Sequence, residues 1–353
     1  MIMKLKSKIR TKLVNSHKFC LSKGLLLFKE GKYILVYNNN LFIVDKLPFD
    51  QDINSIQVLN NNILILDDLN IPALYEIDTD IKKKEIAIEE HESFLWESFS
   101  TFDKFIIQKK ISIFTYIFGI YYTKKRYKIY FDNKFSASKI INNMFFSIDL
   151  RSSISLCSEE EGNILWQFSI ADFPAYISGF GREEKADIKQ IIGVYDNILW
   201  VHIGGFRLVG IAIDTGKMVH YIENVVKGGE QNNFLDSQNG VLKTLSFDYY
   251  AEFDLRTLTF RKKTTIKHKE DIKIRASNYY EGDNCLYFCG YHNNKFDKPN
   301  AFGIFDTKKS EIIWFETSKD DLGYFYNPPQ ANDKLLAVLD DKHNLLIYDR
   351  IDG

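Results

Sequence analysis

The sequence predicts an all-β protein built from repeated four-stranded units. Short apolar segments separated by tight polar turns recur from Gly24 almost to the end of the 353-residue chain. Aromatic residues make up 15% of the chain, mostly Phe and Tyr, which favour strands. No segment of useful length places apolar side chains at the i, i+3, i+4 spacing of an amphipathic helix. The pattern therefore favours meandering strands joined by short turns.

Eight such units can be counted, at a period near the ~40–45 residues expected of propeller blades. They begin at Gly24, Ser55, Ser93, Ser138, Ile188, Phe234, Ile272 and Pro328. Because meandering strands satisfy their edges by closing into a ring, we expect one β-propeller domain over residues 1–353 with four-stranded antiparallel blades. Eight blades is the count, and seven stays open. The reason is that the fourth strand of the first unit, near Lys46 to Phe49, is barely long enough to exist.

The N-terminal segment, residues 4–13, is expected to complete the last blade. The eighth unit has only three strands, so this segment can supply its fourth and join the last blade to the first. Basic residues alternate with other residues along it, which predicts a strand with every basic side chain on one face. They are Lys4, Lys6, Lys8, Arg10 and Lys12. We interpret them as protection of an outer edge against strand pairing, with a docking strip for an anionic partner as the alternative.

The most regular hairpin, Leu156 to Phe168, suggests how blades are joined. The third strand of most units ends in Asp, which can accept a hydrogen bond from the backbone two residues on and start a turn. They are Asp45, Asp78, Asp214, Asp254, Asp306 and Asp349. Gly162 and Gly216 supply the positive φ that such turns need. Trp166 and Trp314 lie eight positions after this slot and are expected to pack on the neighbouring blade.

This spacing resembles the tryptophan-docking repeat of quinoprotein-type propellers, small-x-Asp-x-x-Thr-Gly-x-x-x-Trp. The segment from Leu156 keeps Gly162 and Trp166 but has Ser158 in place of Asp and Glu161 in place of Thr. The segment from Ile304 keeps Asp and Trp but has Ser in place of Gly, and Asp214-Thr215-Gly216 keeps the turn while His220 replaces Trp.

The resemblance covers about four units and implies a propeller, commonly an eight-bladed one. It does not imply the quinone chemistry. Quinoprotein dehydrogenases are exported and carry a vicinal cysteine pair with calcium ligands, and this sequence has neither an export signal nor such a pair. We therefore expect no cofactor and no metal.

Composition narrows the classes of function. The net charge of −1 argues against general nucleic-acid binding. No apolar run reaches ~18 residues, so no membrane span is expected, and a soluble cytoplasmic protein is the default. The four cysteines form no disulfide framework. Cys285 and Cys289 are expected on one strand, roughly 13 Å apart and too distant for a bridge, as ordinary buried thiols.

Catalytic motifs of metalloproteases, serine hydrolases and phosphate-binding loops are missing from the sequence, so no catalytic residue is assigned. The acidic pairs Asp67–Asp68 and Asp340–Asp341 each follow a second strand. They fit paired carboxylates at a channel mouth, or water-exposed turn residues, which we favour. His202 is interpreted as a core or turn histidine rather than a metal ligand.

Four loops are longer than a propeller needs: 172–187, 223–233, 291–300 and 317–327. All are second-to-third turns or exits to the next blade, which share one face of a meander. Aromatic and arginine side chains on loops are typical interface anchors. On these four loops the candidate anchors are Phe173, Tyr176, Phe180, Arg182, Tyr291, His292, Phe296, Tyr324, Phe325 and Tyr326. Packing of each aromatic on its own blade is the alternative.

The sequence thus predicts a non-enzymatic scaffold whose loop-rich face binds a protein partner, one version being a toxin-neutralising, immunity-type protein. The alternative is a propeller enzyme or carbohydrate-binding protein with an acidic site in its central channel. That alternative requires two or more acids about 5–10 Å apart near the axis.

Overall fold

The fold was analysed in a computed structural model. The structure describes residues 2–11, 13, 18–22, 24–59, 62–67, 72–77, 81–84, 92–94, 104–112, 115–122, 127–131, 137–141, 144–149, 151–158, 163–178, 181–228, 230–280, 283–293, 295–319 and 322–351. Phe180 and Gly162, to which the sequence assigned a binding and a turn role, lie outside these residues, as do Asp68 and Asp78.

The described residues form short strands and one 3-10 turn, Glu230–Asn232. In chain order the first strands are β1 (Ile2–Arg10), β2 (Phe19–Ser22), β3 (Leu25–Glu30), β4 (Tyr33–Asn38), β5 (Ile43–Pro48), β6 (Ile53–Leu59), β7 (Asn62–Asp67), β8 (Pro72–Ile77), β9 (Ile81–Lys84), β10 (Glu92–Phe94), β11 (Lys104–Ser112), β12 (Thr115–Tyr122), β13 (Tyr127–Phe131), β14 (Ala137–Ile141), β15 (Met144–Asp149), β16 (Ser153–Cys157) and β17 (Ile164–Ser169). They are followed by β18 (Tyr176–Ile177), β19 (Glu183–Glu184), β20 (Ile188–Tyr195), β21 (Ile198–Ile203), β22 (Arg207–Ala212), β23 (Met218–Ile222), β24 (Asn233–Asp236), β25 (Val241–Ser246), β26 (Tyr249–Asp254), β27 (Thr259–Thr265), β28 (Ile272–Tyr279), β29 (Cys285–His292), β30 (Ala301–Asp306), β31 (Glu311–Thr317), β32 (Gln330–Ala331), β33 (Leu335–Leu339) and β34 (Asn344–Ile351).

Within the described residues these strands make eight four-stranded antiparallel sheets, which confirms the predicted β-propeller and its higher blade count. Numbered as blades 1 to 8, they are β2–β5, β6–β9, β10–β13, β14–β17, β20–β23, β24–β27, β28–β31, and β32–β34 with β1. β18 and β19 pair separately as a small hairpin. No helix in the described part of the chain is long and apolar enough to cross a membrane.

The chain divides into two compact units, one of residues 1–58 and 227–353 and the other of residues 59–226. In each unit, the apolar core is made where blades pack on their neighbours. In the first unit, one cluster joins blades 8 and 1 through Leu335, Ile347, Phe19 and Leu26, and another joins blades 7 and 8. In the second unit, a cluster joins blades 4 and 5 through side chains such as Phe146 and Val209.

Blade 1 differs from the sequence interpretation by one strand. The segment ending at Asp45, expected to be the third strand, contributes instead to the fourth, β5. The unrecognised strand is β2, whose Phe19 and Leu21 are buried while the alternate residues are half-buried. A strand of four residues is too short to show a clear alternation of apolar and polar side chains. Because β2 was not recognised, each later strand of the unit was assigned one position too early. Asp45 therefore does not mark the end of a third strand.

The N-terminal strand completes blade 8, as predicted. β1 pairs antiparallel with β34 from Ile2 opposite Ile351 to Arg10 opposite Asn344. The prediction of a single basic face is wrong, because a β-bulge at Lys6 interrupts the alternation. The Lys6 ammonium turns to Asp349, 2.8 Å away, and donates to the backbone oxygen of Asn39 in blade 1 at 2.9 Å. One lysine of the supposed docking strip thus links the last blade to the first.

The turns between third and fourth strands follow the predicted chemistry where an aspartate ends the third strand. Asp306 accepts hydrogen bonds from the backbone of Lys308 at 2.8 Å and of Lys309 at 3.0 Å. Asp254 accepts equivalent hydrogen bonds from the backbone of Arg256 and of Thr257. In the turn after β22, Gly216 has a φ of +67°, the left-handed conformation that glycine tolerates best.

Trp166 fastens blade 4 to blade 5. Its indole nitrogen donates to the backbone oxygen of Ile213 at 2.5 Å, and its ring lies over Gly216. A Cβ added to Gly216 would lie only 2.6 Å from the ring, so this close approach requires glycine. Trp314 has a similar position in the first unit, where it packs edge-on against Tyr348 of blade 8 with 5.3 Å between ring centroids. The predicted docking of tryptophans on neighbouring blades is confirmed at both positions.

We expect Trp166→Ala to lower the free energy of unfolding by about 3 kcal/mol, because it removes a large ring from the blade interface together with its hydrogen bond. Urea unfolding followed by circular dichroism measures this. Leu165→Ala is the matched control, since Leu165 is the neighbour on the same strand and is 62% exposed. Equal effects of the two substitutions would show that Trp166 does not fasten the blades.

Candidate protein-binding surface

The strand bounds place the four long loops where the sequence assigned them. The loop of residues 291–300 joins β29 to β30, the second and third strands of blade 7. The loops of residues 172–187, 223–233 and 317–327 are exits from the fourth strand of one blade to the first strand of the next. The first of them belongs to the second unit, and the loops after residues 291 and 317 belong to the first unit.

In the first unit, aromatic side chains of neighbouring blades meet on the surface. Phe296 stacks on Phe247 with ring centroids 5.7 Å apart, and Tyr291 packs edge-on against Phe296 at 5.6 Å. Phe247 lies in the turn between β25 and β26, and its backbone exchanges two 2.7 Å hydrogen bonds with Ile274 of β28. The Lys273 ammonium lies 5.4 Å from the centre of the Phe247 ring. These contacts fix the rings on a rigid part of the scaffold.

The exit loop of blade 7 adds two tyrosines to this surface. Phe325 points inward, fully buried, and its ring packs 4.5 Å from that of Phe302. Tyr324 and Tyr326 flank it: Tyr324 is half-buried and Tyr326 is exposed. Phe325 therefore cannot contact a partner as the sequence interpretation suggested. Its role is to anchor the loop that presents the two tyrosines.

Two basic side chains hold the exit loop to other parts of blade 7. Lys298, from the loop that carries Phe296, lies 4.8 Å from the Tyr324 ring. Arg275 of β28 donates to the backbone oxygen of Tyr326. We define the aromatic surface as Phe247, Tyr291, Phe296, Tyr324 and Tyr326. These residues lie on blades 6 and 7 and on the exit from blade 7.

The acidic pair Asp340–Asp341 holds this exit loop in place. Asp340 accepts hydrogen bonds from the backbone of Gly323 and of Asn344, both at 2.8 Å, and Asp341 accepts one from the backbone of Tyr324 at 2.8 Å. Asp340 is buried, so the expectation of two water-exposed turn residues is wrong for it. Both carboxylates accept hydrogen bonds from backbone N–H groups of the exit loop, so the pair fixes the position of this loop.

His292 closes the loop of residues 291–300 at its base. Its backbone nitrogen donates to the Asn300 side chain at 2.7 Å, and its ring nitrogen Nε2 lies 3.5 Å from the carboxylate of Glu270. The ring also packs against Phe315. His292 is half-buried and contributes mainly to the support of the aromatic surface.

In the second unit, the long exit loop is a packed hairpin. Tyr176 of β18 lies on Gly204 and Gly205, where an added Cβ would approach its side chain to 2.5 Å and 2.9 Å. Its hydroxyl donates to Glu184 of β19 at 2.8 Å. Buried Arg207 donates to the backbone oxygen of Pro174 at 2.7 Å. Tyr176 therefore positions the hairpin against blade 5.

Of the other aromatic and basic residues of this loop, one packs against the scaffold and one is exposed. Phe173 is half-buried and packs against Phe168 at 6.1 Å and Tyr221 at 5.7 Å. Arg182 is exposed at the tip, and so is Ile177, which the sequence analysis did not single out. Phe173 and Tyr176 thus follow the alternative that loop aromatics pack on their own blades.

Phe247 is not among the residues expected from the sequence, because it lies in a two-residue turn and not in one of the long loops. A signal was present, since an aromatic residue is rare in a two-residue turn between strands. Phe247 has a φ of +55°, in the left-handed region that Gly and Asn occupy most easily.

His202 lies beside the base of the hairpin, on β21. It is buried, and its Nδ1 has no hydrogen-bond partner among the residues that the structure describes. The pKa of His202 is lowered to about 4, mainly by burial and in part by the positive charge of Lys189, while the negative charge of Asp187 opposes the shift. This position agrees with the expectation of a core histidine.

Comparisons with known proteins give the fold and no family. No protein-family model matches the chain, and no curated protein matches it. The solved C-terminal WD40 domain of Sif2 matches with a TM-score of 0.65 at 11% identity, over 100% of this chain and 99% of that chain. Sqt1 of Saccharomyces cerevisiae matches with a TM-score of 0.59 at 10% identity, over 100% of both chains. The computationally designed protein Ika8 matches with a TM-score of 0.61 at 11% identity, over 94% of this chain and 95% of that chain. At these identities the likeness supports a propeller fold alone.

The low pKa of His202 predicts that acid destabilises the fold. The unfolded histidine takes up a proton below about pH 6.5, whereas the folded one stays neutral until about pH 4, so stability falls as the pH drops through this window. Between pH 7 and pH 5 the loss from this one group is about 2 kcal/mol. Urea unfolding of the protein and of His202→Gln at both pH values measures it. The variant should lose less stability than the protein does, and identical losses would contradict the assignment.

Proposed function

We propose that the protein is a non-enzymatic scaffold that binds a protein partner through the aromatic surface. One observation carries the proposal: Phe247 and Phe296 stack on each other while 44% and 47% exposed, and Tyr326 beside them is 41% exposed. Large aromatic side chains on a rigid surface are the usual anchors of protein interfaces. Loops held on a propeller scaffold are also where binding residues generally lie.

The backbone of Phe247 supports the same proposal. A phenylalanine at a φ of +55° is less favourable there than Gly or Asn, which fit such a turn without strain. Residues held in unfavourable conformations cluster at functional sites. A side chain retained at this cost, and left largely exposed, is better explained by a partner than by the stability of the fold.

The proposal extends to the origin of the blades and to the kind of partner. The contact of Trp166 with Ile213 and Gly216 supports a tryptophan-docking repeat of the quinoprotein type as the origin of the blades. A partner that is a toxin or nuclease, capped by the aromatic surface in the cytoplasm, is one version of the proposed role. It is consistent with a rigid surface that needs no chemistry of its own.

The proposal predicts that Phe247→Asn combined with Phe296→Ala abolishes partner capture without unfolding the protein. Asn suits the left-handed turn, so we expect the free energy of unfolding to change by about 1 kcal/mol or less. The measurement is co-purification of partners from the native cell with the tagged full chain, quantified by mass spectrometry, beside urea unfolding of each variant.

Phe42→Ala is the matched control, since Phe42 is 68% exposed on blade 1 in the turn after β4. It should retain every partner that the unmodified chain captures. If the double variant retains those partners, or if the unmodified chain captures none, the aromatic surface is not a protein interface.

A further inference from the structure

A cavity of about 850 Å³ lies in the first unit, on the opposite ends of the strands from the aromatic surface. It is lined by the turns between the first and second strands of blades 1, 7 and 8 and by the end of β34. Its polar lining includes Tyr280, Asp283, Asn332, Asp333, Lys334 and Arg350. This volume is within the range of about 300–1,000 Å³ typical of small-molecule sites.

The wall of the cavity around Asp283 and Arg350 is held in one arrangement. The Tyr287 hydroxyl donates to Asp283 at 2.5 Å, and the Arg350 guanidinium lies 3.5 Å from the same carboxylate oxygen. Arg350 also donates to the backbone oxygen of Asn332 and lies over the Tyr287 ring at 5.5 Å. Side chains fixed in this way need little reordering when a ligand binds.

Tyr280 is fixed beside them and keeps a donor available. Its hydroxyl accepts a hydrogen bond from the backbone of Ala331 at 3.0 Å, and its ring packs edge-on against Tyr287 at 5.7 Å. A tyrosine hydroxyl that accepts one bond can still donate its own proton. The ring supplies an apolar wall next to that donor, so one side chain offers both kinds of contact.

Among the described residues of the lining, the charges cancel. Asp283 and Asp333 balance Lys334 and Arg350, so these residues together do not favour a strongly charged molecule. The described lining offers both donors and acceptors: carboxylates accept, Lys334 and Tyr280 donate, and the Asn39 amide contains both kinds of atom, its oxygen accepting a bond from the Asn332 amide. A hydroxyl group also does both, so a ligand dense in hydroxyls matches this lining better than an ion or an apolar molecule.

We propose that this cavity binds a small neutral hydroxyl-rich molecule of the sugar class. The site goes beyond the proposed function, because it is independent of the aromatic surface. The strand β29 runs from the side of Asp283 to the side of Tyr291, so its seven steps separate the two by roughly 23 Å. A ligand in the cavity leaves the aromatic surface free for a partner.

The test is saturation-transfer NMR on the full chain with glucose, galactose, N-acetylglucosamine, cellobiose, lactose and chitobiose, each at millimolar concentration. We expect transfer to at least one of these sugars. For a glucose-based ligand, gluconate and glucosamine serve as charged analogues and should bind at least fivefold more weakly. Asp283→Asn should weaken binding at least tenfold, since it replaces one carboxylate oxygen, an acceptor, by an amide donor and removes the negative charge that lies 3.5 Å from Arg350.

Asp333→Ala, at the exposed rim, gives a second variant if Asp283→Asn fails to fold, and it should weaken binding about threefold or more. Phe296→Ala, on the aromatic surface, should leave sugar binding unchanged. The proposal is overturned if no sugar of the panel shows transfer. It is also overturned if transfer persists unchanged in both aspartate variants, or if the charged analogues bind as well as the neutral sugar.

Discussion

A four-stranded meander cannot bury both of its faces by itself. The whole structure therefore depends on the apolar packing of each blade against its neighbours. The middle strands show the result: β16, β21, β25, β29 and β33 are buried along almost their whole length. Outer strands such as β17 and β27 alternate between exposed and half-buried residues. Trp166 and Trp314 matter because each reaches from an outer strand to the next blade, where otherwise only sheet faces would meet.

Much of the fold was predictable, since the repeat of apolar strands and the Asp-led turns are properties of local sequence. The failures were of a different kind. β2 was too short to show a period, and the bulge at Lys6 reverses an alternation that the sequence continues without a break. Burial of Asp340 could not be foreseen, because its partner Gly323 reaches it only through the packing of the blade 7 exit loop on blade 8.

The candidate surface was predicted less completely than the fold. Loop length drew attention to Tyr291, Phe296 and the tyrosines beside Phe325, which are part of the proposed surface. Loop length does not indicate that Phe325 faces the core. In an irregular loop no period of two or of 3.6 residues tells which side chains point inward. Loop length also missed Phe247, which belongs to the surface only because blade 6 packs beside blade 7. Membership of such a surface is a tertiary property, and single-sequence patterns carry little of it.

The pairing of β1 with β34 can form only after the whole sequence between them has been synthesised. The two strands lie at opposite ends of the sequence, so at ~5–20 residues per second β1 waits on the order of tens of seconds for its partner during synthesis. Throughout that interval it is an unpaired strand, a form prone to mispairing. Its charged side chains, Lys4, Lys8 and Arg10 among them, keep a waiting strand soluble. The lysine-rich sequence of β1 is therefore suited to the nascent chain as well as to the finished blade.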